Sequence, residues 1–281
     1  MNGSDYPALY QNRHCYQSDG ADVFILNTKT QYFGKIYDFS CFRLKTLPKS
    51  EISNKVKGIS VGSTVFQVSE ANIKDYLTSK LLIKKNFSEF INSFSIRHKC
   101  NCVCTFMKEL YVIKIGQYFG EINTYSCLKY NLNRKKWINT AAPNEIRYFA
   151  ASAVFEGKIV VSGGIEYYKK RSKRTVEAYD HYENQWAYLP EMIKGRSDHS
   201  LVSMGNKLFV IDGWTTNSCE VFDSKSRKFS CINFTLEYFS IKGACRIGNN
   251  IALVGVKLDA IGNEYEVVIY DVESNTFSIK A

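Results

Sequence analysis

Apolar residues in this chain come in short runs, without the three- and four-residue rhythm that marks an amphipathic helix. The clearest runs are Val23 to Leu26, Thr64 to Val68, Leu110 to Ile113, Lys158 to Val161, Lys207 to Ile211 and Ile251 to Val254. They are rich in β-branched and aromatic residues, and turn-forming residues bound them. The preceding turns are Asp19-Gly20, Val61-Gly62-Ser63, Lys108-Glu109, Glu156-Gly157, Gly205-Asn206 and Gly248-Asn249. Gly and Asn accept the positive φ of a tight hairpin, so all but the Lys108-Glu109 copy read as strand, turn, strand.

The run centres Ile25, Phe66, Val112, Val160, Phe209 and Leu253 lie 41 to 49 residues apart. A period in the forties points to propeller blades. A second landmark trails each run: an aromatic, then Asp or Asn, a polar turn, and another aromatic. The best copies are Tyr130-Asn131 to Trp137, Tyr179-Asp180 to Trp186, Phe222-Asp223 to Phe229 and Tyr270-Asp271 to Phe277, with the two aromatics seven residues apart in each. Upstream the pattern shortens to Tyr37-Asp38 with Phe42, and then to Phe87 alone. The final aromatics step by 43 to 50 residues, so two separate landmarks keep one rhythm.

The stretch from Arg147 to Met192 resembles a kelch repeat: Gly163-Gly164 follows the apolar strand, then Val176-Glu177-Ala178-Tyr179-Asp180, Trp186 and Leu189-Pro190-Glu191-Met192. The unit from Arg196-Ser197-Asp198-His199 through Asp212-Gly213 to Glu220-Val221-Phe222-Asp223 is similar. The resemblance is strongest over residues 97 to 236 and is carried by rhythm over 1 to 96. It implies an all-β fold, a six-bladed kelch-type propeller of four-stranded antiparallel blades, filling 1–281 as a single domain. The expected blades are 1–52, 53–95, 96–146, 147–195, 196–236 and 237–281. Residues 8 to 17 would start the first blade, each blade would use consecutive sequence, and five blades with an irregular N-terminal segment is the alternative. Both faces of a blade are covered by neighbours, which suits near-continuous apolar strands. Glycine after the second strand would turn where a Cβ clashes, and Trp137, Trp186 and Tyr179 would fill the wedge between blades.

Composition narrows the function. Apolar residues at 45% and aromatics at 14% supply a large core and exclude disorder. No apolar run approaches ~18 residues and the N-terminus is polar and aromatic, so neither a membrane span nor a secretory signal is expected. Nine cysteines, an odd number without framework spacing, suit reduced thiols in cytoplasm or nucleus. The net charge of +10 favours acidic partners, but its lysines are spread along the chain, which argues against nucleic acid.

Catalysis needs convergent groups. His14, His98, His181 and His199 are scattered, with no zinc spacing, GxSxG or phosphate-cradling loop, so the chain reads as no enzyme and without a cofactor. Copper oxidases of kelch type need more histidines than this. Cys100, Cys102 and Cys104 would alternate onto one strand face, a line of thiols rather than the cage zinc requires.

The remaining reading is protein binding. Kelch-like adaptors of cullin ubiquitin ligases receive substrate on the face that carries the second-to-third-strand loops. The matching loop here, Tyr167-Tyr168-Lys169-Lys170-Arg171-Ser172-Lys173-Arg174, offers cations and tyrosines to an acidic peptide motif. Arg97, His98, Arg147, Tyr148, Arg196, Asp198 and His199 match the positions that ring the mouth of the central channel in that family. Trp214 joins them as a loop tryptophan. The BTB and BACK domains of such adaptors have no counterpart in this sequence, so a substrate-binding propeller without cullin recruitment is expected. The alternative from the same resemblance is an actin or cytoskeletal binder.

Overall fold

A computed structural model describes residues 23–27, 34–38, 43–46, 56–61, 64–69, 98–107, 109–118, 121–131, 134, 136–166, 171–213, 216, 218–233, 239–257 and 265–280. All the regular structure among these residues is antiparallel β. A three-stranded sheet holds β1 (Val23–Asn27), β2 (Gly34–Asp38) and β3 (Arg43–Thr46), and a pair holds β4 (Val56–Val61) and β5 (Thr64–Ser69). Four-stranded sheets follow. The third sheet is β6 (His98–Phe106), β7 (Glu109–Tyr118), β8 (Glu121–Asn131) and β9 (Lys136–Thr140). The fourth is β10 (Ala151–Phe155), β11 (Lys158–Ser162), β14 (Val176–Asp180) and β15 (Gln185–Leu189), with a small hairpin, β12 (Ile165–Glu166) and β13 (Arg171–Ser172), in its long connection. The fifth is β16 (Ser200–Met204), β17 (Lys207–Ile211), β18 (Cys219–Asp223) and β19 (Lys228–Ile232). The last is β20 (Phe239–Ile247), β21 (Asn250–Lys257), β22 (Tyr265–Asp271) and β23 (Thr276–Lys280). Each of the four-stranded sheets is a meander of consecutive sequence, and its first strand packs against the first strand of the next: β6 on β10, β10 on β16, β16 on β20. The expected opening strand within residues 8 to 17 and the aromatic Phe87 lie outside the described residues.

The apolar runs are continuous because both faces of each second strand are buried. Ile159 and Val161 face Cys102, Tyr111 and Ile113 of the third sheet, while Val160 between them joins Leu201, Leu208 and Val210 of the fifth. One strand on, Phe209 and Ile211 face Ile241, Ile251 and Leu253 of the last sheet, and Leu208 and Val210 look back to the fourth. Period-two alternation therefore sorts side chains between two neighbours, with no solvent face to read as polar.

The seven-residue aromatic spacing is a cross-strand pair. Tyr179 lies opposite Trp186, Phe222 opposite Phe229 and Tyr270 opposite Phe277, with ring centroids 5.2, 5.0 and 5.0 Å apart. The Asp after each first aromatic closes the hairpin: Oδ1 of Asp180 accepts from the N–H of Tyr182 and Glu183, Asp223 from Lys225 and Ser226, Asp271 from Glu273 and Ser274. These are Asx turns, which Asp favours because its side chain caps its own chain. Tyr179 and Tyr270 also donate their hydroxyls to Asn184 and Asn275, both at 2.8 Å.

Cys102 and Cys104 are buried in the apolar cluster between the third and fourth sheets. The expected line of three thiols is broken, because a register shift falls between Cys100, opposite Lys114, and Cys102, opposite Ile113. A bulge carries one unpaired residue, so alternation does not run through it.

Trp186 closes the interior at 9% exposure, and its indole N–H donates to Ala141 O at 2.8 Å. Trp186→Ala is expected to cost roughly 3 to 5 kcal/mol through the cavity and the orphaned carbonyl. Urea unfolding of the variant against wild type measures it.

Candidate functional site

The chain enters the fourth and fifth sheets through the same polar clamp. Arg147 has no exposed surface; its Nε and Nη2 donate to Glu177 Oε1 at 3.2 and 2.7 Å, and its Nη1 donates to the carbonyls of Gly163 and Thr175, each at 2.9 Å. Arg196, equally buried, donates from Nε and Nη2 to Glu220 Oε1 at 3.2 and 2.8 Å, and from Nη1 to Asp212 O at 2.7 Å and to Ser218 O. A further donation, Nη2 to Ser218 Oγ at 3.0 Å, completes the guanidinium's set. Each carboxylate also holds the entering loop: Glu177 accepts from the N–H of Asn144 and Glu145, and Glu220 from those of Ile193 and Lys194. Glu177 and Glu220 occupy the same place on the third strand, opposite Val161 and Val210. An ion pair withdrawn from water is tolerable only when donors and acceptors are matched in this way.

The clamp carries contacts between sheets. Gly164 N donates to Arg196 O at 2.8 Å, Arg196 N to Lys173 O at 3.1 Å and Asp198 N to Phe149 O at 2.8 Å. A Cβ on Gly163 would stand 2.4 Å from Arg196 O and 2.7 Å from the His199 ring, so this glycine is required by close approach. His199, 8% exposed, shares a 2.7 Å hydrogen bond from its Nε2 with Ser162 Oγ. Tyr148 is buried and bridges the backbone of Ile165. Arg147, Tyr148, Arg196 and His199 therefore brace the loops from within, where sequence reading placed them at a channel mouth. Asp198 is half-buried and Arg171 exposed. Arg97, Tyr167, Tyr168, Lys170 and Trp214 lie outside the described residues, as does the side chain of His98.

Above the clamps the loops enclose a groove of about 510 Å³, lined by Glu145, Glu166, residues 171–175, Glu191 and Gly195. Its charges are mixed. Lys173 Nζ pairs with Glu145 Oε2 at 2.6 Å, and Arg174 Nη2 approaches Glu191 Oε2 at 3.6 Å. Partial burial pushes the Glu145 carboxyl up, but hydrogen bonds from Lys173 and Thr175 and the fields of Lys173 and Arg147 outweigh it and hold the group below 4.5. Among the described residues Arg171 has no ion-pair partner, which leaves it as this loop's available cation. Sequence reasoning found the loop but missed Glu145, Glu166 and Glu191, which neutralise much of it. No group of three or more His, Cys, Asp or Glu side chains among the described residues is arranged to hold a metal.

Comparison with known proteins agrees with the repeat. The family described as the Kelch motif matches residues 146–193, the fourth sheet with its entering loop. These matches support a kelch-repeat domain resembling those of kelch-like proteins. Kelch-like protein 40 of Xenopus tropicalis is 34% identical over 105 residues, 36% of this chain and 17% of that protein. Kelch-like protein 35 of Mus musculus is 25% identical over 132 residues, 45% of this chain and 22% of the relative. Kelch repeat protein C2 of vaccinia virus is 26% identical over 125 residues, 44% and 22% of the two lengths. The matched stretches thus span only about a fifth of these relatives. The kelch repeat and these relatives support a protein-interaction module.

Two outcomes test the clamp. Glu177→Ala or Glu220→Ala leaves a buried guanidinium without its anion and is expected to cost roughly 3 to 5 kcal/mol in denaturant unfolding. The Lys173–Glu145 tie depends on a carboxyl whose folded value is lowered, so its stabilisation is present above the ordinary 4.5 and is lost as pH falls below it. Melting temperatures of wild type and Glu145→Gln should differ at neutral pH and converge in acid.

Proposed function

We propose that this chain is a protein-binding propeller of about six blades, closed into a ring, that receives a partner on the end of its sheets where the long second-to-third-strand connections lie. The observation that supports this reading is the groove beside Arg171, set directly on the buried clamps that hold its loops. A buried, hydrogen-bonded scaffold beneath variable loops is the usual construction of a recognition site.

The partner that suits it is a protein segment bearing acidic side chains, gripped by Arg171 together with Lys170 and the tyrosines Tyr167 and Tyr168 of the same connection. Arg pairs carboxylates bidentately and tyrosine adds area, a pairing typical of binding hot spots. By its kelch resemblance the role is that of the substrate-recognition part of a kelch-like ubiquitin-ligase adaptor. The cytoskeletal alternative is separable because filamentous actin can be pelleted: an adaptor stays in the supernatant.

Affinity capture with wild type and with Lys169, Lys170 and Arg171 reversed to Glu tests the loop while leaving the paired Lys173 and Arg174 intact. The reversed protein should retain its melting temperature and lose the partners that wild type holds. Persistence of every partner would remove this loop as the receptor, and co-pelleting with actin would favour the cytoskeletal reading.

A further inference from the structure

A group of exposed cations without ion pairs among the described residues lies at the opposite end of the sheets from the groove. In the fifth sheet Lys207, Asp223 and Lys228 are register neighbours on three adjacent strands, and Lys225 and Arg227 sit in the hairpin that joins Asp223 to Lys228. All four cations are exposed. Among the described residues none of them makes an ion pair. Two acids lie beside them, Asp223, whose Oδ1 accepts from the N–H of Lys225 and Ser226, and Glu156 of the fourth sheet, which accepts from Ser224 Oγ; the four cations outnumber these two acids. At the groove, by contrast, Lys173 and Arg174 have carboxylate partners.

A second observation singles out Arg227. It adopts φ 54°, the left-handed region, at the place filled by Asn184 (φ 50°) in the fourth sheet and Asn275 (φ 55°) in the last. Asn tolerates that conformation and Arg does not favour it. In the sister hairpins the Asn also accepts a tyrosine hydroxyl, whereas here Phe222 has none to offer. Two sister hairpins thus hold Asn at this place, while the third sheet's sequence has a second cation there, Lys135. Arg227 makes no ion pair among the described residues and is exposed, so its charge is open to a partner.

We propose that the hairpin end of the fifth sheet, through Lys207, Lys225, Arg227 and Lys228, is a second docking surface, for a segment rich in Asp or Glu carboxylates. Four cations gathered about one hairpin tip match a short peptide in span. A nucleic-acid duplex calls instead for a basic stripe following its backbone. This surface is independent of the groove and of whatever the groove receives.

The test uses the full chain and a fluorescein-labelled oligoglutamate peptide, followed by anisotropy at low salt. Lys225→Gln combined with Arg227→Asn should weaken binding roughly three- to tenfold, as expected for two exposed charge contacts. Its melting temperature should be no lower than that of wild type, because Asn relieves the backbone at 227. Arg171→Glu should leave the peptide's affinity unchanged, and added salt should weaken wild-type binding. Unchanged affinity in the double variant overturns the proposal. So does an equal or greater loss in Arg171→Glu, or a duplex oligonucleotide binding more tightly than the peptide.

Discussion

Matching one buried guanidinium to one buried carboxylate is the constraint that fixes how the fourth and fifth sheets receive their loops and join each other. Arg147 with Glu177, and Arg196 with Glu220, would each be a heavy desolvation cost if any donor were left over. Satisfying them draws in backbone carbonyls from the second-to-third-strand connection and N–H groups from the entering loop. The clamp thus decides how two irregular segments lie on a regular sheet. It also positions the Arg196 carbonyl, which receives the N–H of Gly164 from the preceding sheet. Gly163 can have no side chain for the same reason, since its neighbour's backbone already occupies the space.

The two ends of each sheet are held by different physics. At the groove end the cement is polar and reaches between sheets. At the hairpin end much of it is local, an aromatic pair stacked across two strands and an Asp folded over its own turn, with single side-chain bonds such as Ser224 to Glu156 reaching the next sheet. Between the ends, packing is apolar on both faces, as the split of Val160 from Ile159 and Val161 illustrates. An arrangement of this kind tolerates weak sequence likeness between units. Val268 and Phe239 in the last sheet stand where Glu220 and Arg196 stand in the fifth, and Leu128 replaces the carboxylate in the third, yet all these sheets have four strands.

The kelch-like sheets were legible because their marks are spacing rules. A step of seven residues from one aromatic to the next sets them opposite each other across a tight hairpin, and nothing in the tertiary structure intervenes to alter it. The arginines were harder, because a position at the mouth of a strand does not say whether the side chain turns outward or inward. Arg147 and Arg196 turn inward for carboxylates about twenty-five to thirty residues downstream. The signal was present in Val176-Glu177-Ala178-Tyr179-Asp180 and Cys219-Glu220-Val221-Phe222-Asp223, where a charged residue interrupts an otherwise apolar strand. A buried-strand Glu demands a cation, and the entering Arg is the one within reach. The cysteine alternation failed for a different reason: one extra residue in a bulge is invisible to a period-two count.

Repetition itself separates charges that build the fold from charges that do not. In the fourth and fifth sheets a structural charge recurs at one blade position together with its counter-charge, as the Arg–Glu clamp does, and in the last sheet both are absent, at Phe239 and Val268. Lys225, Arg227 and Lys228 make no ion pair among the described residues, and the third sheet repeats two of them as Lys135 and Lys136. The total of +10 is uninformative about partners because it sums both kinds. Once the clamp and the groove's own pairs are set aside, the exposed cations among the described residues that make no ion pair include Arg171 at one end of the sheets and the 225–228 hairpin at the other.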